Sequence, residues 1–250
     1  MIHGHVLAPM LRKLRLWVTL DAQHEQALLD LPHSVVVLEK NKAVVREGDA
    51  VSHCWLVLSG FCVRLKYVGT GGRQIVSIHM KGDLVDLQNA LLGVADHSVQ
   101  TLTPCKMAKL PIQPIRILTD KYPKIKDALW NDTLVDGSIH REWVANVGRR
   151  DAPTRIAHLL CEFALKLEAV HLGEQLNYEL PMTQDQLADA TGLTAVHVNR
   201  VLQGLAKDGL IDRVTPKFVV IGDWKRLAAF GDFRSDYLHL DMAKRRGDGG

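Results

Sequence analysis

The segment Thr183–Asp208, TQDQLADATGLTAVHVNRVLQGLAKD, has the pattern of two short helices joined at Gly192. Glycine carries no Cβ, so the chain can turn sharply there at little cost. Apolar residues fall where two helices that cross at a steep angle would bury a shared seam, at positions Leu187, Leu193, Val198 and Val201. The spacing predicts a helix-turn-helix.

The outward face of the second helix carries side chains suited to hydrogen bonding with DNA bases. Asn, Arg and Gln pair bidentately with base edges in the major groove, and a threonine before each helix can cap it and leave N–H groups free for a phosphate. Most amphipathic helix pairs belong to an ordinary protein core. The prediction of DNA binding therefore depends on the polar outward face and on the threonine caps. The predicted contacts are Thr183, Gln184, Thr194, Val196, His197, Asn199, Arg200 and Gln203.

The residues that follow, 209–221, read GLIDRVTPKFVVI. Two short apolar runs around a Thr-Pro-Lys turn are typical of a β-hairpin. We interpret this hairpin as a wing, with Lys217 at its tip as a further DNA contact.

Composition describes an ordinary globular protein that is long enough for two domains. The chain has 250 residues, of which 47% are hydrophobic and 24% charged. The net charge of +3 argues only weakly for nucleic acid, although basic residues are frequent in the second half. Neither a signal peptide nor a membrane span is expected. The scattered thiols, without a C-x-x-C pair, favour a reducing cytoplasm; they are Cys54, Cys62, Cys105 and Cys161.

The first half of the chain predicts a β-roll. A helix is expected over Thr19–Leu31, capped by Thr19 or Asp21. Short β-rich runs separated by glycine turns then extend from Val35 to Leu110, interrupted by one short helix near residues 87–92. Strands at this spacing indicate a sandwich or barrel. We assign residues 1–123 to this domain.

A long helix without proline is predicted over residues 124–148. Its apolar stripe consists of Ile125, Leu129, Ile139, Trp143 and Val147. The stripe could be ordinary core, but a two-fold helix pair is the preferred interpretation because so long a helix seldom buries itself within a small domain.

Beyond this helix, Arg149, Arg150 and Asp151 break the pattern and are predicted to form a hinge, with Asp151 as the next N-cap. A winged domain is expected over residues 149–234. The polar residues 235–250 are expected to be a disordered tail.

A glycine-punctuated β-roll, a long helix, a hinge and a winged helix-turn-helix, in that order, resemble the CRP/FNR family of bacterial transcription regulators. The resemblance implies an α+β protein with a jelly-roll-like sensory domain. It also implies a cytoplasmic homodimer that binds double-stranded DNA at two-fold-related half-sites, with RNA polymerase as a partner. Catalytic residues, a metal and a cofactor are not expected.

Departures from the family concern its ligand site. Members that bind cyclic AMP carry Gly-Glu and then Arg-Ser or Arg-Thr, whereas residues 82–89 here read GDLVDLQN, so that Asp86 and Leu87 replace Gly and Glu. His97 and Ser98 stand at the second pair. A buried phosphodiester without its arginine would be an uncompensated charge, so cyclic AMP is not expected to bind. The candidate effector pocket, for an effector that the sequence does not identify, is Asp86, Leu87, Gln88, His97 and Ser98.

The sequence also departs from the patterns that an iron–sulfur cluster, a haem or a cupin metal site would need. The cysteines lack the spacing of an iron–sulfur cluster. A haem-sensing member would need an axial histidine where Gln88 stands, although His3, His5, His79 and His97 exist elsewhere. A cupin enzyme would need two histidines one residue apart on a strand, and His3-Gly4-His5 has no strand pattern around it.

The recognition helix also departs from the family. Arg200 matches the arginine that pairs with a guanine, but Val196 occupies the position of the usual glutamate. Valine can contact a thymine methyl but offers no acceptor to cytosine, and Asn199 could read adenine. A half-site different from the common family consensus is therefore expected.

Overall fold

Two short helices precede the first strand of the computed structural model, which describes residues 4–69, 71–170, 177–215 and 218–240. Helix α1 is Ala8–Leu14 and α2 is Ala22–Leu29. The carboxylate of Asp21 accepts hydrogen bonds from the backbone N–H groups of Gln23 and His24, both at 3.0 Å. Of the two predicted caps for this helix, Asp21 is therefore the one used.

The predicted roll consists of two four-stranded sheets, with strand orders β1-β8-β3-β6 and β2-β7-β4-β5. Strand β8 pairs antiparallel with both β1 and β3. Val57, Val85, Val99 and Met107 are buried together in its core. The elements are β1 (Ser34–Leu38), β2 (Ala43–Val45), β3 (His53–Ser59), β4 (Cys62–Tyr67), β5 (Arg73–His79), β6 (Leu84–Val85), α3 (Asn89–Leu92), β7 (Ser98–Thr101) and β8 (Cys105–Pro111).

Helices dominate the rest of the chain, and the α+β class is confirmed. The remaining elements are α4 (Ile112–Lys121), α5 (Pro123–Arg149), α6 (Ala152–Ala169), β9 (Asn177–Glu179), α7 (Gln184–Thr191), α8 (Ala195–Lys207), β10 (Ile211–Thr215), β11 (Phe218–Ile221), α9 (Trp224–Phe230) and a 3₁₀ helix (Ser235–Leu238). The wing hairpin gains a strand that the sequence did not predict, since β9 pairs with β11.

Two compact units divide the chain. The first comprises Met1–Leu65, Ile78–Ser138 and Leu238–Gly250, and the second comprises Lys66–Ser77 and Ile139–Tyr237. The division between them falls inside α5, between Ser138 and Ile139, whereas the sequence placed domain boundaries at the two ends of this helix.

The apolar stripe chosen from the sequence as a dimer surface belongs to the interior of the subunit. Ile125, Leu129 and Trp143 are only 0%, 5% and 8% exposed, and Ile139 and Val147 are half-buried. The three buried side chains have no free surface for a second subunit, so the prediction that they form a dimer surface is wrong. A different face of α5 is exposed, at Trp130, Leu134 and Val144.

The tail predicted to be disordered is partly folded. Leu238 is buried, and in the first unit the indole N–H of Trp17 donates to the carbonyl of His239 at 3.1 Å. The expectation of disorder is therefore wrong for residues 235–240, where an apolar side chain and a backbone acceptor find partners. Residues 241–250 lie outside the described part.

Candidate DNA-binding face and roll site

Both helices of the helix-turn-helix begin at the predicted threonine caps. The Thr183 hydroxyl accepts from the backbone N–H of Gln186 at 3.2 Å, and the Gln186 side chain accepts from the N–H of Thr183 at 2.9 Å. This reciprocal capping box fixes the start of α7. The Thr194 hydroxyl accepts from the N–H of His197 at 3.3 Å and fixes the start of α8.

The turn between the helices has the conformation that glycine permits. Gly192 has φ of 66°, and a Cβ added there would lie 3.3 Å from the side chain of Val147. Of the predicted seam, Leu187, Val198 and Val201 are buried and Leu193 is half-buried. The seam and the turn together hold α8 against α7.

The outward face of α8 is available to a ligand. Val196 is 65% exposed, and His197, Arg200 and Gln203 are also exposed. The face therefore offers one apolar side chain and several polar ones to a ligand. Lys217, the predicted wing contact, lies outside the described residues.

Asn199 differs from its neighbours on this face because it is half-buried. Its Oδ1 accepts a hydrogen bond from Nε2 of Gln184 at 3.0 Å. Gln184 on α7 therefore orients Asn199 on α8, a contact that sequence periodicity could not show because it joins the two helices.

In the roll, two residues that depart from the cyclic AMP signature pair with each other. Nε2 of His97 lies 2.7 Å from Oδ1 of Asp86, and Nδ1 lies 2.5 Å from Oδ1 of Asp96. Donation at both nitrogens requires the imidazolium form. Burial lowers the pKa of His97, but the hydrogen bond and the charge of Asp86 together with the hydrogen bond to Asp96 outweigh it, so the pKa is raised above 6.5.

Arg64 on β4 is the centre of this cluster and was missed in the sequence. Only 4% of the residue is exposed. Its Nε lies 3.4 Å from Oδ1 of Asp86, its Nη1 pairs with Asp136 on α5, and its Nη2 lies 3.5 Å from Oε1 of Gln88. Burial opposes ionisation of Asp136, but the charge and the hydrogen bond of Arg64, together with the charges of His79 and Lys13, outweigh it and lower the pKa of that carboxyl. A lone arginine within the apolar run of β4 was the available signal.

Asp86 holds a backbone conformation that favours glycine. Its φ is 66°, at the position where cyclic AMP-binding members carry glycine. Asp is among the few side chains that tolerate this region, and the bonds from Arg64 and His97 hold it there. One of its carboxylate oxygens, Oδ2, is buried without a hydrogen bond.

Ser98 and Leu87, also predicted to line the effector pocket, lie outside the Arg64 cluster, and Gln88 lies at its edge. The Ser98 hydroxyl accepts from the backbone N–H of Glu47 at 3.0 Å, so it does not join the cluster. Leu87 and Gln88 line an open cleft of about 680 Å³ with residues of α3, α4 and α5. The cluster around Arg64 thus gathers Asp86, Gln88 and His97 of the five predicted residues.

Alternative ligands find little support in the described residues. His79 is buried and lies 3.6 Å from Asp83, and His5 accepts a hydrogen bond from the N–H of Leu7; His3 is outside the described part. Within 4–69, 71–170, 177–215 and 218–240, no three histidine, cysteine or acidic side chains are grouped to hold a metal.

The four thiols are free and buried. Burial raises the pKa of Cys54 to about 12 and that of Cys161 to about 12, so these thiols stay protonated and unreactive.

Family models match both halves of the chain. Residues 35–122 match the cyclic nucleotide-binding domain, and residues 154–230 match the Crp-like helix-turn-helix domain. The chain belongs to the CRP/FNR family of transcription regulators. It is a DNA-binding regulator of that type. No helix in the described part of this CRP/FNR protein is long and apolar enough to cross a membrane.

Individual relatives agree with this assignment. The transcriptional activator protein FnrL of Cereibacter sphaeroides is 28% identical over 76% of this chain and 77% of its own length. The fumarate and nitrate reduction regulatory protein of Salmonella typhi is 22% identical over 77% and 76%. The structure of FixK2 from Bradyrhizobium japonicum aligns with a TM-score of 0.73 at 20% identity and covers 80% of this chain and 98% of that one.

Replacing His97 by glutamine tests the roll cluster. Because folding raises the pKa of His97 above 6.5, its stabilisation is fully present below that pH and is lost as the pH rises through the folded value. We expect His97→Gln to lower the free energy of unfolding by about 1–3 kcal/mol on the acid side, with a smaller difference at alkaline pH. Urea unfolding over a pH series measures this, and the exposed His197→Gln is the control. A difference that is constant or grows with pH would contradict the charged pair.

Proposed function

We propose that this regulator acts as a homodimer in the cytoplasm, places one α8 helix in each of two related half-sites, and keeps its roll site closed to cyclic nucleotides. The observation that carries the proposal is the capped, exposed face of α8. Val196 and Arg200 are exposed on one face, while Val198 and Val201 anchor the opposite face in the subunit.

Arg200 is proposed to read a guanine, since its guanidinium forms a fork that matches O6 and N7. Val196 supplies an apolar contact suited to a thymine methyl. Asn199, oriented by Gln184 at 3.0 Å, retains its Nδ2 donor and a second acceptor lone pair for adenine. RNA polymerase is the proposed partner of the DNA-bound form, supported by a relative that is named as a transcriptional activator.

Arg200→Ala is expected to weaken binding by about 1–3 kcal/mol and to relax the preference at one base pair of each half-site. The physical reason is that a bidentate contact specifies a base, whereas a phosphate contact does not. Binding-site selection followed by titration of single-base variants measures both effects. The exposed Arg12→Ala on α1 is the control. Equal weakening on every sequence would identify Arg200 as a phosphate contact instead.

The proposed dimer surface is the exposed face of α5. Trp130, Leu134 and Val144 are 57%, 59% and 70% exposed. With Gly137 and Arg141 between them they follow intervals of four, three, four and three residues, which keeps them on one side of a helix. Three exposed apolar side chains on one side of the helix, with a small residue between two of them, fit a second copy of the same helix.

The open cleft supports the same interface. Trp130 and Leu134 line it on α5, opposite Leu91 and Leu92 of α3, which are 72% and 64% exposed. Apolar side chains grouped in this way are rare on a monomer surface and mark association sites. We therefore assign the cleft to the surface between two copies.

Leu134→Asp is expected to convert the dimer to a monomer at micromolar concentration, because a carboxylate in an apolar helix pair would be buried unpaired. Sedimentation velocity measures the change, and affinity for the complete two-fold site should fall with it. Ile117→Asp is the matched control, since Ile117 is 67% exposed on α4 but outside the stripe. Unchanged sedimentation of the Leu134 variant would rule out this surface.

The roll site is proposed to be occupied by the protein's own charges. The Arg64 guanidinium is committed to Asp86 and Asp136, so it is not free to neutralise a phosphodiester. A nucleotide would have to displace buried ion pairs and would bring a third negative charge beside two carboxylates. With its roll site closed by these ion pairs, the regulator would bind DNA without a cyclic nucleotide.

Isothermal titration calorimetry with cyclic AMP up to about 1 mM is expected to give no saturable heat. Binding would break the ion pairs of Arg64, and this cost would offset most of the free energy of binding of a ligand with a millimolar Kd. A cyclic AMP-binding member of the family serves as the positive control. A saturable micromolar isotherm would overturn this part of the proposal.

A further inference from the structure

The chain continues past the helix-turn-helix domain of the family. That domain model ends at residue 230, whereas the structure describes residues as far as 240. We call Gly231–Tyr237 the C-terminal strap. Its first residue ends α9 and touches α6 directly, because a Cβ added to Gly231 would lie 2.8 Å from the backbone nitrogen of His158. The strap is therefore packed against α6 from its first residue.

The far end of the strap reaches a buried carboxylate. Glu162 on α6 is 2% exposed. The Tyr237 hydroxyl donates to its Oε2 at 2.7 Å, and the Trp143 indole on α5 donates to Oε1 at 2.9 Å. Burial and the neighbouring Glu162 raise the pKa of Tyr237, so the phenol remains a donor. The Trp143 indole also lies 3.1 Å from Oε2, so removing the Tyr237 hydroxyl would take the shorter of two donors from that oxygen.

A second set of contacts joins the strap to the connection between α5 and α6. Arg150 precedes Asp151, whose side chain caps α6 by accepting from the N–H of Thr154 at 2.9 Å. Nη2 of Arg150 lies 2.7 Å from Glu142 on α5 and 3.0 Å from Asp232 of the strap. Of the three residues predicted to form a hinge, Arg150 is thus tied to α5 and to the strap, and Asp151 is tied to α6.

His158 lies between the two sets of contacts. Its Nδ1 is 3.1 Å from the carbonyl of Gly231 and its Nε2 is 3.1 Å from the Tyr237 hydroxyl. The two rings also stack, with centroids 5.9 Å apart and planes inclined by 14°. His158 thus brings both ends of the strap, at Gly231 and Tyr237, into contact with α6.

We propose that the C-terminal strap is a positioning element for DNA reading: through the Tyr237–Glu162–Trp143 chain it fixes the angle between the end of α5 and α6. Helix α6 packs against both α7 and α8, so the angle of α6 sets the direction of the recognition helix. The inference rests on the proposed homodimer, because two recognition helices must match the separation of two half-sites.

Tyr237→Phe tests the strap, since it deletes only the hydroxyl and keeps the ring stacked on His158. We expect affinity for the complete two-fold site to fall about tenfold, with half-site affinity unchanged. On a series of sites whose half-sites are moved apart or together by one and two base pairs, the variant should lose most of the wild-type preference for one spacing. A merely structural role would lower all affinities together and leave that preference intact.

Glu162→Gln is the second variant, and it covers the case in which Tyr237→Phe does not fold. In its background, Tyr237→Phe should add little, because both changes disrupt the same contact. Asp236→Asn is the matched control within the strap: Asp236 is 65% exposed on its side chain and pairs with Arg234. This control should behave as wild type.

The outcomes separate the two proposals. If the wild type shows no preference for a complete site over a half-site, the proposed dimeric function fails and the positioning inference fails with it. If the wild type has the preference and both Tyr237→Phe and Glu162→Gln retain it with the same dependence on spacing, the strap inference alone is overturned.

Discussion

The buried guanidinium of Arg64 is the constraint on which the first unit depends. A charge that is only 4% exposed must be paired. The two carboxylates that pair with it come from separate parts of the chain, Asp86 before α3 and Asp136 on α5. Satisfying one side chain therefore fixes the turn after β6, with its strained φ of 66° at Asp86, and joins the roll to the first half of the long helix.

A comparable arrangement organises the second unit, where the buried charge is the carboxylate of Glu162. Its donors are neutral and come from α5 and from beyond the family domain, at Trp143 and Tyr237. Each unit thus uses a buried charge to bring distant parts of the chain together. In the first unit the charge lies among residues predicted to form the effector pocket, and in the second it lies on α6, which packs against α7 and α8.

The features that could be predicted from the sequence are those whose residues lie close together along the chain. The threonine caps, the turn at Gly192 and the buried seam are set by residues within a few positions of one another, and each was predicted correctly. The stripe on α5 was not. Leu129 adjoins Trp130 and Trp143 adjoins Val144, so two apolar stripes run along one helix, and periodicity cannot say which of them faces the subunit's own core. The missed Arg64 cluster and the Gln184–Asn199 contact likewise join separate elements.

By itself the sequence determined the class of fold, the order of its main elements and the outward face of α8, because these follow from local periodicity, turn residues and capping. It also showed that the cyclic nucleotide signature is altered. Only the tertiary structure decided what replaces it: Asp86 and His97 are eleven positions apart yet 2.7 Å from each other. The same holds for the tail: disorder was expected over residues 235–250, yet the Tyr237 hydroxyl donates to the buried Glu162 of α6. Pairing of buried charges depends on distance in space, which the order of residues along a chain does not contain.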